Sequence, residues 1–274
     1  MASDASDVTL IIPTYARSKI LSRTLAIYAS FETKIKFIVV DASENASKKL
    51  VETFKAVEIN YLHRPKCSVF EGIAIGLKNC ETKYAAFCGD DDIFFDEAVT
   101  ACVLRMEKMD SVGICSGHGM FLKYSQGRAL FASGWYTHKF RKLYDERKFN
   151  RLENFARGYF VLQFGVGRLD VLKTAYCKSS LADLDYKHRS APEIAVCLAL
   201  SYLSKFDLIN EISFLRGLGD FREGNASEAN KLFLDSGVKI EEMELLFSRY
   251  FDQICDEDIQ AKRMTRLEIG RAHV

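Results

Sequence analysis

Over the first 125 residues, short apolar runs that stop abruptly at polar clusters alternate with longer segments whose apolar positions recur at helical spacing. Residues 8–12 (VTLII), 36–40 (KFIVV), 57–64 (VEINYLHR) and 84–88 (YAAFC) read as strands. Residues 20–28, 68–80 and a stretch opening at Asp96 read as helices, the second with apolar residues at 69, 70, 73 and 77. The 84–88 run is apolar at successive positions, which predicts a strand covered on both faces. Strands separated by helices predict a mostly parallel sheet with right-handed crossovers, an α/β fold.

The polar clusters fall where these strands end: PTYAR at 13–17, DAS at 41–43 and DDD at 90–92. Parallel strands present their carboxyl ends at one edge, the usual ligand side of an open α/β sheet. Three adjacent carboxylates repel one another unless a cation or solvent offsets the charge, so Asp90, Asp91 and Asp92 mark either a divalent-metal site or a solvated turn whose last member caps the helix at Asp96. No GxGxxG follows the first strand and no GxxxxGK[ST] occurs, so any diphosphate must be held by metal and side chains. The histidines at 63, 118, 138 and 188 lack zinc-ligand spacing, and no G-x-S-x-G suggests a hydrolase.

Composition narrows the class. The chain has 274 residues, 48% of them apolar, which suits one sizeable α/β domain; its net charge of +1 gives no drive toward nucleic acid. Basic clusters at 138–142 and 144–148 read as solvated charge. The eight cysteines form no CxxC pair and several sit in apolar segments, which predicts reduced thiols and a cytoplasmic protein. Residues 1–7 are polar and acidic, unlike a signal peptide, and no apolar run approaches the ~20 residues that span a bilayer. The last seven residues, 268–274 (EIGRAHV), resemble a translated sequencing adapter. They are therefore set apart from a single domain over 1–267, whose native C-terminal region is expected to be missing.

The Pro-Thr-Tyr turn with a following Arg, the Asp ending the second strand and the Asp-rich DxD-type motif together resemble family 2 glycosyltransferases over residues 7–125, and more loosely beyond. The resemblance implies a GT-A-like fold, with a nucleotide-sugar half at 7–125, an acceptor and catalytic half at 126–235 and a C-terminal helix at 236–267. It implies that Pro13, Thr14, Tyr15, Arg17, Asp41 and Ser43 hold base and ribose, with Asp90 and Asp91 serving ribose and the surrounding contacts. Asp92, with Asp90 as a second candidate, would ligate Mn2+ or Mg2+. Tyr15 can cover a base face, Arg17 can reach phosphate, and Asp41 can accept from a uracil imide or a ribose hydroxyl. Equally, Tyr15 could close the core edge, Arg17 could pair with a carboxylate, and Asp41 could cap its own turn.

Inverting transfer needs a carboxylate to take the acceptor proton. In the resemblance, Glu193 occupies the place of that base, with Pro192 replacing the preceding acid; Asp183 and Asp185 are competitors, and Pro-Glu is also an ordinary helix start. Gly165 and Gly167, before an Arg-bearing helix start, are expected to let backbone approach the donor sugar. Arg216, with Arg222 beyond it, is expected to clamp diphosphate, while Trp135 and Tyr136 carry no assignment. The implied activity is sugar transfer from a UDP- or GDP-sugar to a glycan or lipid-linked acceptor in envelope polysaccharide synthesis, with peripheral membrane association. A sugar-phosphate nucleotidyltransferase and a non-catalytic nucleotide-sugar or glycan-binding module are the alternatives.

Overall fold

Strands β1 (Val8–Thr14), β2 (Lys36–Asp41), β3 (Ile59–His63) and β4 (Tyr84–Phe87) run parallel in the spatial order β3-β2-β1-β4. The helices that join them are α1 (Ser18–Ser30), α2 (Lys48–Val51) and α3 (Val69–Lys78). These are the elements the hydrophobic pattern predicts. They belong to a computed structural model that describes residues 4–125, 128–135, 143–157, 162–187, 191–218 and 240–254. Helix α3 starts cleanly because Ser68 and Glu71 form a capping box, Ser68 Oγ accepting from Glu71 N at 3.1 Å.

Alternate residues of the parallel strands enter different cores. Ile11, Ile38, Val40 and Ala85 pack on the face that includes α3, whereas Leu10, Ile12, Phe37, Val39, Tyr84 and Ala86 pack on the face that includes α1. A strand buried on both faces has no position that favours a polar residue, which is why these runs are apolar throughout. Each of the larger aliphatic and aromatic side chains contributes about 1.5–3 kcal/mol by leaving water.

Beyond β4 the chain forms β5 (Asp92–Phe94), α4 (Asp96–Lys108), β6 (Val112–Ser125), β7 (Arg128–Trp135), α5 (Lys148–Arg157) and β8 (Val166–Arg168). It continues through α6 (Leu169–Tyr176), α7 (Ser179–Lys187), α8 (Ala191–Leu203), β9 (Lys205–Leu218) and α9 (Ile240–Asp252). Among the described residues one sheet runs β3-β2-β1-β4-β8-β6-β9-β5, with β7 added to β6. The long β6–β9 ladder is parallel; β8, β7 and β5 join antiparallel. Every residue of α8 from 195 to 202 is buried, so it is the central helix of the second half.

Pro13 shapes the edge where the strands end. Cys88 N donates to Ile11 O at 3.0 Å, and Pro13 has no N–H to carry the β1–β4 ladder further. The chain is released after Phe87 into the acidic loop. Among the described residues no helix is long and apolar enough to cross a membrane. The tail at 268–274, Arg222, Tyr136, the stretch 224–227 and the side chain of Trp135 lie outside the described residues.

Candidate functional site

The strand registers bring the polar ends together. Thr14 pairs with Asp41 across β1 and β2, and the β1–β4 ladder, in register to Ile11 and Phe87, carries the next turn to Asp90 beside Thr14. Thr14 Oγ1 donates to Asp90 Oδ2 at 2.8 Å. Arg17 closes the cluster like a fork, with Nη1 at 2.6 Å from Asp90 Oδ1 and Nη2 at 2.9 Å from Asp91 Oδ2. The guanidinium expected to reach phosphate is thus engaged by the acidic motif itself.

The acidic triplet is not a solvated turn. Asp90 and Asp92 are 3% and 2% exposed, and the residue preceding α4 is Phe95, which makes no side-chain cap. Asp92, expected as the metal ligand, opens a short strand and turns back on Gly89, where a Cβ would lie 2.7 Å from its Oδ2. Asp91 keeps 17% of its side chain exposed. Asp91 is therefore the most accessible carboxylate of the three, while the metal candidates Asp92 and Asp90 lie behind it. The triplet blurs this in sequence because three adjacent identical residues give no register, and it is the turn closed by Asp92 N donating to Gly89 O that points Asp91 outward.

Burial pushes the Asp90 carboxyl up to about 6, and Asp91 adds repulsion; Arg17 and Thr14 oppose the rise. Burial also disfavours the Arg17 charge, but Asp90, Asp91 and Asp92 outweigh it and raise the guanidinium pKa. A carboxyl raised from 3.8 to about 6 holds its proton more tightly folded than unfolded. Its stabilising contribution is complete below about pH 4 and is lost as pH rises through about 6, at most about 3 kcal/mol. Asp90→Asn is expected to gain Tm relative to the parent as pH rises from 4 to 6. A pH-independent difference between the two melting curves would assign the effect to other groups.

The β1 turn and the β2 loop are tied to each other. Ala16 takes the left-handed region at φ 53°, strained for a residue with a Cβ, and its N–H donates to Ser43 Oγ at 2.9 Å. His63 Nε2 lies 2.8 Å from Ser43 O. Tyr15 is 61% exposed, so it does not close the core edge and leaves a ring face open at the strand ends. Asp41 is fully buried: Oδ1 accepts from Ser43 N at 2.9 Å, and Oδ2 accepts from Ser47 N at 3.0 Å and Tyr61 Oη at 2.6 Å. Burial opposes its charge, yet these bonds hold its pKa below the usual carboxylate value. These bonds make the Asp41 carboxylate the brace of its own loop.

The second half reaches the same edge. Asp92 pairs with Arg216 across β5 and β9, and the Arg216 guanidinium lies 4.7 Å from the centroid of the Phe164 ring. Phe164 stacks on Phe214 at 5.4 Å, while its neighbour Gln163 donates Nε2 to Glu193 Oε2 at 3.1 Å. The single turn Leu162–Phe164 therefore touches both Arg216 and Glu193, which stands in the first turn of α8. Asp183 is exposed on α7, beside a surface depression shared with Arg249 and Asp252 of α9. The side chain of Asp185 lies outside the described residues.

Two glycine expectations are corrected. A Cβ at Gly165 would lie 2.5 Å from Ile114 Cγ2, and one at Gly167 would lie 2.9 Å from Leu172, so both make room for core packing. Arg168 pairs with Tyr84, at the end of β4 away from Asp90, and donates to Val112 O and Met106 O. Thr24, Ser47, Tyr61 and Gln163 are the site's supporting residues that no motif announces, since they act through single hydrogen bonds or small networks and not through a sequence pattern.

Among the described residues no three His, Cys, Asp or Glu side chains converge as a metal-binding group. The donor set still fits the cation that the resemblance implies. Mg2+ or Mn2+ takes hard oxygens from one or two carboxylates and completes its shell with phosphate and water. Asp91 supplies such an oxygen, backed by the negative charge of Asp90 and Asp92.

A family model described as glycosyl transferase family 2 matches residues 9–166, more than half of the chain. No curated protein matches it in sequence. Among solved structures, S. aureus TarS 1–349 in complex with UDP-GlcNAc superposes with a TM-score of 0.53 at 14% identity, covering 97% of this chain and 79% of that one. A longer S. aureus TarS chain gives 0.52 at 13% identity; the match covers 92% of the present chain and spans 44% of the TarS chain. The mannosyltransferase PcManGT from Pyrobaculum calidifontis, in complex with GDP-Man and Mn2+, gives 0.51 at 11% identity, covering 100% of this chain and 83% of that one. At these identities the likeness is one of fold, and it is the GT-A-like α/β architecture that the motifs imply.

Proposed function

The chain belongs to glycosyl transferase family 2, and from that premise we propose that it transfers a sugar from a nucleoside-diphosphate donor, with inversion, to a glycan or lipid-linked acceptor of envelope polysaccharide synthesis. The observation that carries this reading is the convergence of Thr14, Arg17 and Asp90 to Asp92 at the ends of β1 and β4, beside the exposed ring of Tyr15. A nucleotide sugar as donor is further supported by the UDP-GlcNAc and GDP-Man held by proteins of similar fold. The bound Mn2+ of one of them supports a divalent cation.

In this mechanism the base stacks on Tyr15, and the loop braced by Asp41 and Ser43 borders the ribose. Asp91 would hold the cation, with Asp90 and Asp92 behind it. When bound, the cation neutralises charge on the departing nucleoside diphosphate. Arg216, beside Asp92, adds a second positive charge toward that leaving group. Glu193, held by Gln163, takes the proton of the acceptor hydroxyl as its oxygen bonds to the anomeric carbon. The anomeric C–O bond to phosphate breaks at the same time, its electron pair leaving with the diphosphate. The acceptor is met at the inner face of the membrane by peripheral contact.

Calorimetry with UDP, GDP, CDP and dTDP, each with Mn2+, with Mg2+ and with chelator, tests the donor site. The expected result is a metal-dependent preference for one nucleotide. Binding of none of them would overturn the reading. Once a donor is known, NMR of the product should show the anomeric configuration opposite to that of the donor.

A further inference from the structure

Helix α1 touches the acidic loop along its whole length. Arg17, at its start, holds the side chains of Asp90 and Asp91. Further along, Thr24 is 1% exposed, and its Oγ1 donates to the main-chain oxygen of Asp90 at 2.7 Å. One turn later the fully buried Tyr28 hydroxyl accepts from Phe94 N at 2.7 Å and lies 3.8 Å from Cys88 Sγ, itself 3.4 Å from Asp92 O. Residues four apart share a helix face, so from a single surface Thr24 meets the acidic segment at Asp90 and Tyr28 meets it where β5 ends at Phe94. Their neighbours on that face, Leu21 and Leu25, are buried and apolar. A hydroxyl among them is tolerated because it is bonded, and each of these two bonds ends on the loop backbone.

Resting on the donor-site reading above, we infer that Thr24 and Tyr28 are positioning residues: they set the backbone of the acidic loop so that Asp91 faces the diphosphate while Asp90 and Asp92 stay behind it. The loop's own bracing is slight. Asp92 N donates to Gly89 O at 3.1 Å, and Cys88 Sγ gives two weak contacts. The bonds from α1 tie that loop to the helix that begins at the Tyr15–Arg17 turn, so base and diphosphate ends of the site are held by one rigid element.

Thr24→Val keeps shape and removes the hydroxyl; Thr24→Ser restores it. The probes are UDP and GDP with Mn2+, alongside amide hydrogen exchange and melting temperature. Thr24→Val is expected to weaken metal-dependent nucleotide binding about tenfold, the loss of one buried hydrogen bond, and to speed exchange at the Asp92 amide about tenfold. Thr24→Ser is expected to return both to within about threefold of the parent. A merely structural role would lower Tm with affinity and Asp92 exchange unchanged, which overturns the inference, as would failure of Thr24→Ser to rescue. If the parent binds neither nucleotide, CDP and dTDP are tested as well, and binding of none of the four overturns the transferase reading. The Asp92 exchange rate in Thr24→Val still decides the clamp, faster exchange supporting it and unchanged exchange overturning it.

Discussion

Asp91→Asn is expected to lower turnover by about a hundred- to a thousand-fold, the effect of removing one preorganised charge that acts on a developing anion. It should also abolish the metal dependence of nucleotide binding in calorimetry. The substitution keeps volume and leaves an oxygen for Arg17 Nη2, which lies 2.9 Å from Asp91 Oδ2, so the fold should persist. Asp92→Asn is the informative companion. Its carboxylate is 2% exposed and turned toward Gly89, so it should act through stability and leave metal-dependent binding in place. The reverse outcome, with metal dependence lost in Asp92→Asn and kept in Asp91→Asn, would return the ligand to Asp92.

Glu193→Gln should reduce turnover by about a hundred- to ten-thousand-fold, the usual range for loss of a general base. Nucleotide affinity should stay within about threefold, because proton removal is not needed to bind the donor. Asp183→Asn, on an exposed helix face, is expected to stay within a few-fold of the parent. The assignment to Glu193 fails if its variant keeps turnover within a few-fold while a change at Asp183 or Asp185 abolishes it.

Much of the first half is legible from local pattern. The runs at 8–12, 36–40 and 84–88 are strands because a strand buried on both faces must be apolar throughout, and Ser68 with Glu71 announces the start of α3. The polar ends of those strands mark the ligand edge for the same short-range reason. Beyond Ser125 the reading thins. Residues 166–168 form a strand of three residues in the middle of the sheet, held by β4 and β6 rather than by any pattern of their own. Gly167 within it and Gly165 just before it make room for Leu172 and Ile114.

By itself the sequence determined the βαβ order and the presence of carboxylates at the end of β4, since each follows from neighbouring residues and their periodicity; its motifs carried the resemblance to the family. Which carboxylate is open, and that Arg17 is bound by two of them, was decided by tertiary structure. Those contacts join Arg17 to residues 73 and 74 positions further along the chain, and no local pattern encodes them. The same holds for the pairing of Asp92 with Arg216 and for the turn that links Arg216 to Glu193. Burial is a property of the assembled sheet, and it is burial that separates Asp91 from its two neighbours.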